Sequence, residues 1–324
     1  MIKKLTFKTL IILISGALFS CSETVDTITG DWFKLSDLDG DARHAAVGFA
    51  IANYGYVGLG SDEDNVKLKD FWRYDPAKNT WSQVADFPGL ARTAAVATTA
   101  GNMAYVGTGL DTDDNKLNDF WEYNPSLNTW QQLEDFPGSG RRNAVAFGIG
   151  EKAYIGTGFD GSYLKDFYSY DTNNKVWAKI SSMGGSKRMG AAAFVIENQG
   201  YVGTGNNNGA NQSDMWKYDP NTDLWTEVLD FDETTVARNY GVGFALKGKG
   251  YFTAGTSSNA LWQYTPGNSD TEEWNEMTSF EGTARNYAVA FVINEEAYIT
   301  TGSSGTYRFD DIWKYTPDIA QDTD

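Results

Sequence analysis

Large apolar and polar residues alternate in short runs along almost the whole chain, and turn residues divide these runs at near-constant intervals. Asp119 to Trp130, DFWEYNPSLNTW, is the clearest example. Asp119 to Asn124 reads as one short strand. Asn124-Pro125 and Asn128 then turn the chain into a second strand that opens at Thr129. The phrase recurs as DFWRYDPAKNTW (Asp70–Trp81), DFYSYDTNNKVW (Asp166–Trp177) and DMWKYDPNTDLW (Asp214–Trp225). Looser copies are LWQYTPGNSDTEEW (Leu261–Trp274) and DIWKYTP (Asp311–Pro317). Ahead of each copy an arginine leads a run of small apolar residues: Arg43, Arg92, Arg141, Arg188, Arg238 and Arg285. A tyrosine follows thirteen positions after each arginine, and then comes a glycine-containing turn, GLG or GTG in four units, TAG and TTG in two. One unit therefore predicts four antiparallel strands. In unit two, strand a is Arg92 to Thr98, b is Met103 to Gly107, c is Asp119 to Asn124, and d starts at Thr129.

Units of 47–50 residues, each made of short strands, predict an all-β fold: a six-bladed β-propeller of four-stranded antiparallel blades. Strand a, mostly Ala, Gly and Val, suits the innermost position, where six strands converge. The spacing also predicts how the ring closes. Trp32 precedes Arg43 by 11 residues, the interval that separates most strand-d tryptophans from the next arginine, yet no a, b or c strand comes before it. The last unit ends at Pro317 without a strand d of its own. The N-terminal strand at Trp32 is thus expected to complete the last blade, beside Asp311–Tyr315, leaving no open edge.

A glycine pair after strand b, a tyrosine near Asp-Pro in strand c and a tryptophan opening strand d together resemble the Kelch-repeat family. The likeness extends from Trp32 to Pro317, with one departure: the glycine doublet is split, G-x-G rather than G-G. The central domain of galactose oxidase and the sialic-acid mutarotases have similar blades.

Charge and composition narrow the partners. The formal net charge of −17 excludes nucleic acid and anionic membrane surfaces as primary ligands, because both require a basic patch. Lys3, Lys4 and Lys8 precede an apolar run, Leu10 to Phe19, which ends in Leu18-Phe19-Ser20-Cys21. This resembles a bacterial lipoprotein signal with Cys21, the only cysteine, as the lipid-attachment residue. The expected layout is a signal peptide at 1–20, a polar tether at 21–30, the propeller at 31–317 and an acidic tail at 318–324. The protein is then lipid-anchored in the bacterial cell envelope, at the outer membrane, periplasmic or surface-exposed, and touches a membrane only through that lipid. A monomer is expected, and no cofactor.

Strand alternation places the d–a and b–c connections on one face and the a–b and c–d turns on the other. The b–c gaps vary, from 11 to 16 residues between the strand-b tyrosine and the strand-c aromatic. Variable loops on a rigid scaffold mark a binding face. The candidate ligand-binding set on that face is Arg43, His44, Arg92, Arg141, Arg142, Arg188, Arg238, Asn239, Arg285 and Asn286. Arginine forks match carboxylates, and the likeness to Kelch substrate-adaptor domains implies contacts between such arginines and acidic peptides. The competing reading pairs each arginine with an aspartate ahead of strand c (Asp70, Asp119, Asp166, Asp214, Asp311) to lock adjacent blades. Departures from the repeat, His44, Arg142 and the short loop Thr256–Ala260, then point better to a ligand. The acidic loops Ser61–Asn65 and Asp111–Asn115 lack the EF-hand register, so no metal site is expected.

The reading that follows is a non-catalytic binding or scaffold module for a protein or carbohydrate ligand, an anionic glycan or peptide. A copper radical oxidase is excluded, because one histidine and one cysteine cannot supply its metal site. A sugar mutarotase of the sialic-acid type is the alternative; its acid–base groups would be His44 and loop aspartates such as Asp160.

Overall fold

The computed structural model describes residues 29–228, 237–256, 258–268 and 271–321. The expected signal peptide and Cys21 lie outside the described residues. Six four-stranded antiparallel sheets form a ring, the six-bladed propeller that the repeat predicts. Blade one is typical: strands Val47–Ile51, Tyr54–Gly58, Phe71–Asp75 and Thr80–Val84 pair in chain order. Blade six is built from both ends of the chain. Its order from the outside is Thr29–Lys34, Ile312–Ala320, Glu296–Thr300, Val289–Ile293. Trp32 lies opposite Tyr315 and Phe33 opposite Lys314, the closure expected from the Trp32–Arg43 interval.

The hydrophobic core is divided among the blade interfaces, where six separate clusters form. Each draws on the large aromatics of strands b, c and d. Trp130 of blade two lies 5.0 Å from Phe71 of blade one, and Trp177 lies 4.8 Å from Phe120. Tilted and edge-on rings of this kind fill the wedge between twisted sheets. In four blades the indole N–H of the strand-d tryptophan also donates to a carbonyl in the link leaving the previous blade: Trp81 to Ser36 at 3.4 Å, Trp130 to Ala85 at 3.0 Å, Trp177 to Glu134 at 3.2 Å, Trp225 to Ser181 at 2.9 Å. Trp32 makes the same bond to Thr278 at 3.1 Å and packs on Phe280 and Tyr315. The N-terminal strand is therefore a full strand d.

The split glycine doublet has a structural cause. The first glycine faces a large strand-c side chain; a Cβ on Gly58 would sit 2.4 Å from the Phe71 ring. Where that side chain is smaller, as with Ile312, threonine takes the glycine's place at Thr300. The second glycine adopts positive φ, 97° at Gly158 for example, and a Cβ there would meet the Arg142 carbonyl at 2.9 Å.

Three expected boundaries move. Strand a begins four residues after the arginine, at Val96 rather than Arg92 in blade two, because the residue two positions after the arginine has positive φ and cannot continue a strand. At the N-terminus the outer strand starts at Thr29, two residues inside the expected tether. At the C-terminus the last strand runs past Pro317 to Ala320, into the expected acidic tail. Proline is tolerated there because pairing with Glu296–Thr300 ends at Tyr315.

Replacing Trp32 with alanine removes a buried ring and the seam's indole bond, so a loss of about 3–5 kcal/mol is expected. Denaturant unfolding followed by the remaining tryptophans measures it. A variant as stable as the wild type would mean that the N-terminal strand does not close the ring.

Candidate functional site

The six arginines are buried within the blades and do not line the mouth of the axial channel. Each is 0–1% exposed. In five blades the guanidinium forks onto the expected aspartate: Arg43 on Asp70, Arg92 on Asp119, Arg141 on Asp166, Arg188 on Asp214 and Arg285 on Asp311. The paired N–O distances are 2.5–2.9 Å. The remaining donors reach backbone carbonyls two residues earlier and sixteen residues later, as Arg92 does to Leu90 and Thr108. In blade five Ala260 stands where the aspartate would be, and its carbonyl accepts from Arg238 at 3.1 Å. Burial pushes the Arg238 guanidinium down to about 10.

The ligand-binding expectation for Arg43, Arg92, Arg141, Arg188, Arg238 and Arg285 is therefore corrected: side chains without exposed surface, committed to carboxylates and carbonyls, offer nothing to a ligand. The expected lock is corrected too, since each aspartate belongs to the arginine's own blade. Neighbouring blades are joined through the arginine's main chain. The amide of the second glycine in one blade donates to the arginine carbonyl of the next, from Gly60 to Arg92 and on around to Gly302 and Arg43, at 2.7–2.9 Å. These six bonds close a ring.

A second ring lies at the channel mouth. Ala45, Ala94, Asn143, Gly190, Tyr240 and Tyr287 all have φ of 48–62°. Each amide donates to the carbonyl of the residue before it in this circle, at 2.8–3.2 Å. Left-handed backbone is uncommon for a residue as bulky as tyrosine, yet it turns Tyr240 and Tyr287 over the axis. Tyr240 lies against Gly190, where a Cβ would meet its ring at 2.5 Å. Tyr287 stacks on Tyr240 at 4.1 Å, and His44 meets Tyr287 edge-on at 5.8 Å. Burial, together with the Tyr240 hydroxyl beside it, pushes the Tyr287 hydroxyl up. A recess of about 110 Å³ is bounded by these two tyrosines and Asn143. It adjoins a channel of about 210 Å³ lined by the small residues of strand a, among them Ala46, Gly48, Ala95 and Ala144.

The repeat-breaking candidates reach this mouth. Arg142 is half-buried with its guanidinium 5.4 Å from the Phe159 ring. Its Nε is buried without a hydrogen-bond partner among the described residues, and its charge acts on Tyr287 from the opposite blade. His44 Nδ1 lies 3.1 Å from the Ser61 carbonyl, to which it donates. Burial, then the charge of Arg308, holds its pKa below the ordinary value, so it is neutral at pH 7. Asn286 Oδ1 is also buried without a partner among the described residues, whereas Asn239 Oδ1 accepts from Thr256 at 2.5 Å. Asp160 accepts from the Ser162 amide of its own loop and from the Ser139 hydroxyl in the link before blade three. In the acidic loops, Asp62 and Asp111 accept bonds from amides within the same turn. Tyr240, Tyr287 and Asn143 were not singled out from sequence, although the repeated RNY at Arg238 and Arg285 was a visible signal.

The family model described as the KLHDC2/KLHL20/DRC7 Kelch-repeats domain matches residues 24–188 and 91–255. The solved structure of YjhT superposes with a TM-score of 0.73 at 18% identity, over 87% of this chain and 99% of that one. At that identity the likeness speaks for the fold. No curated protein matches the chain.

Burial alone would raise the Asp70, Asp214 and Asp311 carboxyls, but the bonds and charge of their arginines outweigh it and hold them below 3.8. Their contribution to stability is complete above the unfolded aspartate range and is lost as pH falls through the lower folded values. Acid titration of tryptophan fluorescence should show unfolding setting in below that range. Arg92→Ala strips a buried pair and is expected to cost about 3 kcal/mol. Unchanged stability in that variant would remove the arginines' architectural role.

Proposed function

The chain belongs to the Kelch-repeat family, and from that premise we propose that it is a non-catalytic binding module that takes an anionic ligand at the axial mouth. The observation that carries this reading is Arg142, a half-buried guanidinium beside the Phe159 ring that, unlike the adjacent Arg141, pairs with no carboxylate among the described residues. At the equivalent position the other blades carry His44, Thr93, Met189, Asn239 or Asn286, so no blade-building role calls for a guanidinium there. Charge-assisted bonds from Arg142 would fix an acidic group of the ligand. Tyr240 and Tyr287 would supply an aromatic wall and Asn286 a carboxamide. Proton transfer at a sugar's anomeric carbon would have to use His44 and Asp160 on the same face. Both are engaged with neighbouring groups, so binding is the preferred reading over a mutarotase.

The module's proposed place is the bacterial cell envelope, held by a lipid on Cys21. The support is the Leu18–Cys21 box behind a basic and then apolar leader. The strand at Thr29 starts only a few residues later. Seven residues separate Cys21 from that strand; fully extended they reach about 25 Å, so the propeller would ride close to its membrane.

Arg142→Thr is expected to leave stability within about 0.5 kcal/mol of the wild type. Binding of an acidic glycan or glutamate-rich peptide should weaken by about 1.5–3 kcal/mol, read by calorimetry. Equal affinity in variant and wild type would refute the assignment of the mouth. Cys21→Ser should release the protein from the membrane fraction and abolish metabolic labelling with palmitate. A wild-type protein that is soluble and unlabelled would refute the anchor.

A further inference from the structure

Blade three departs from its neighbours beside the mouth. In blades one and two the b–c loop brings a lysine back to the start of the loop, Lys67 beside Ser61 and Lys116 beside Leu110. Lys67 is then consumed by the Asp111 carbonyl and the Asp114 carboxylate. In blade three the gap is two residues shorter, and the corresponding pair is aromatic: Phe159 beside Tyr163, edge to face at 5.2 Å. The next blade answers with a two-stranded ribbon, Asn206–Asn207 with Ala210–Asn211. Between them lies a cleft of about 510 Å³, lined by Phe159, Tyr163, Ser162, Asn207, Asn208 and Lys187. This is within the volume range of small-ligand sites, about 300–1,000 Å³.

We infer that this cleft is a sugar subsite, and that the ligand of the axial mouth is an acidic oligosaccharide running from Arg142 past Phe159 into it. The inference rests on the anionic-mouth reading and adds the ligand's class. The lining residues carry the argument. An aromatic face offers a flat apolar surface to the C–H face of a pyranose. Two asparagine side chains supply both donors and acceptors for ring hydroxyls. Ser162 adds a hydroxyl. Lys187, exposed at the rim, places a positive charge where a sugar carboxylate would emerge. Phe159 belongs to both regions, lining the cleft while the Arg142 guanidinium lies 5.4 Å from its ring. Two cations are thus joined by an aromatic and carboxamide floor, on a chain whose net charge is −17. An acidic peptide would use the cations but would have no need of Tyr163 and the paired asparagines.

The test is calorimetric titration of the full chain with short oligogalacturonates and hyaluronan fragments. Lactose serves as the uncharged control and a glutamate-rich peptide as the alternative ligand. The wild type, Arg142→Thr, Tyr163→Ala and Lys187→Gln are compared after their melting temperatures are measured. The expected result is binding of an acidic oligosaccharide that falls about tenfold or more in each variant, with lactose bound more weakly than the acidic sugars. Lys187→Gln changes an exposed side chain and keeps the test valid if Tyr163→Ala folds poorly. Peptide binding that depends on Arg142 but not on Tyr163 or Lys187 would overturn the sugar subsite and leave the mouth reading standing. Acidic-sugar binding that neither cleft variant weakens would likewise overturn the subsite. No binding of any probe would overturn both readings.

Discussion

The closed ring depends on one buried residue in each blade, the arginine ahead of strand a. Its side chain gathers its own blade, joining the d–a link, the end of strand b and, in five blades, the aspartate that opens strand c. Its carbonyl accepts the glycine amide of the preceding blade. A guanidinium without water is costly unless its donors are met, and in five blades a carboxylate and two carbonyls meet them. The aspartates remain about one-fifth exposed and accept a further bond from the strand-c indole where one is present, as Trp121 provides for Asp119. The knot therefore sits at the boundary between the blades and the solvent of the loop face, and from there it sets where every b–c loop begins.

Two hydrogen-bonded circles follow from that placement. The glycine-to-arginine circle requires positive φ where the chain leaves strand b, which is why the second glycine of each doublet is kept in all six units. The inner circle imposes the same backbone on six residues of very different kind, from Gly190 to Tyr287. A uniform backbone thus presents a non-uniform set of side chains. Small residues leave part of the mouth open, and two stacked tyrosines cover the rest. Function on such a scaffold is carried by what differs between blades, because whatever is the same in all six is already used in closing the ring.

The seam obeys the same rule. Blade six takes its outer strand from the other end of the chain, so closure costs the entropy of joining distant segments and gains a full complement of ladder bonds and a buried indole. Trp32 is equivalent to Trp130 or Trp225 in all but sequence position. The continuation of the last strand to Ala320 lengthens the pairing at the point where the ring is joined.

Blade number, strand order and the closing seam were all legible in the chain, because periodic spacing and strand alternation are local properties written in residue type. The glycines and strand-d tryptophans announced their roles for the same reason. Which way a charged side chain faces is a different matter. Arg92 and Asp119 are 27 residues apart across a variable loop, and nothing in that interval says whether the guanidinium turns inward to its partner or outward to a ligand. Only the folded blade, which places both groups in one desolvated corner, decided for the partner and so removed the six arginines from the ten candidates, leaving His44, Arg142, Asn239 and Asn286. The left-handed turn at Tyr240 and Tyr287 was equally hidden. It is imposed by hydrogen bonds from neighbouring blades, and a conformation enforced between repeats cannot be read from any one of them.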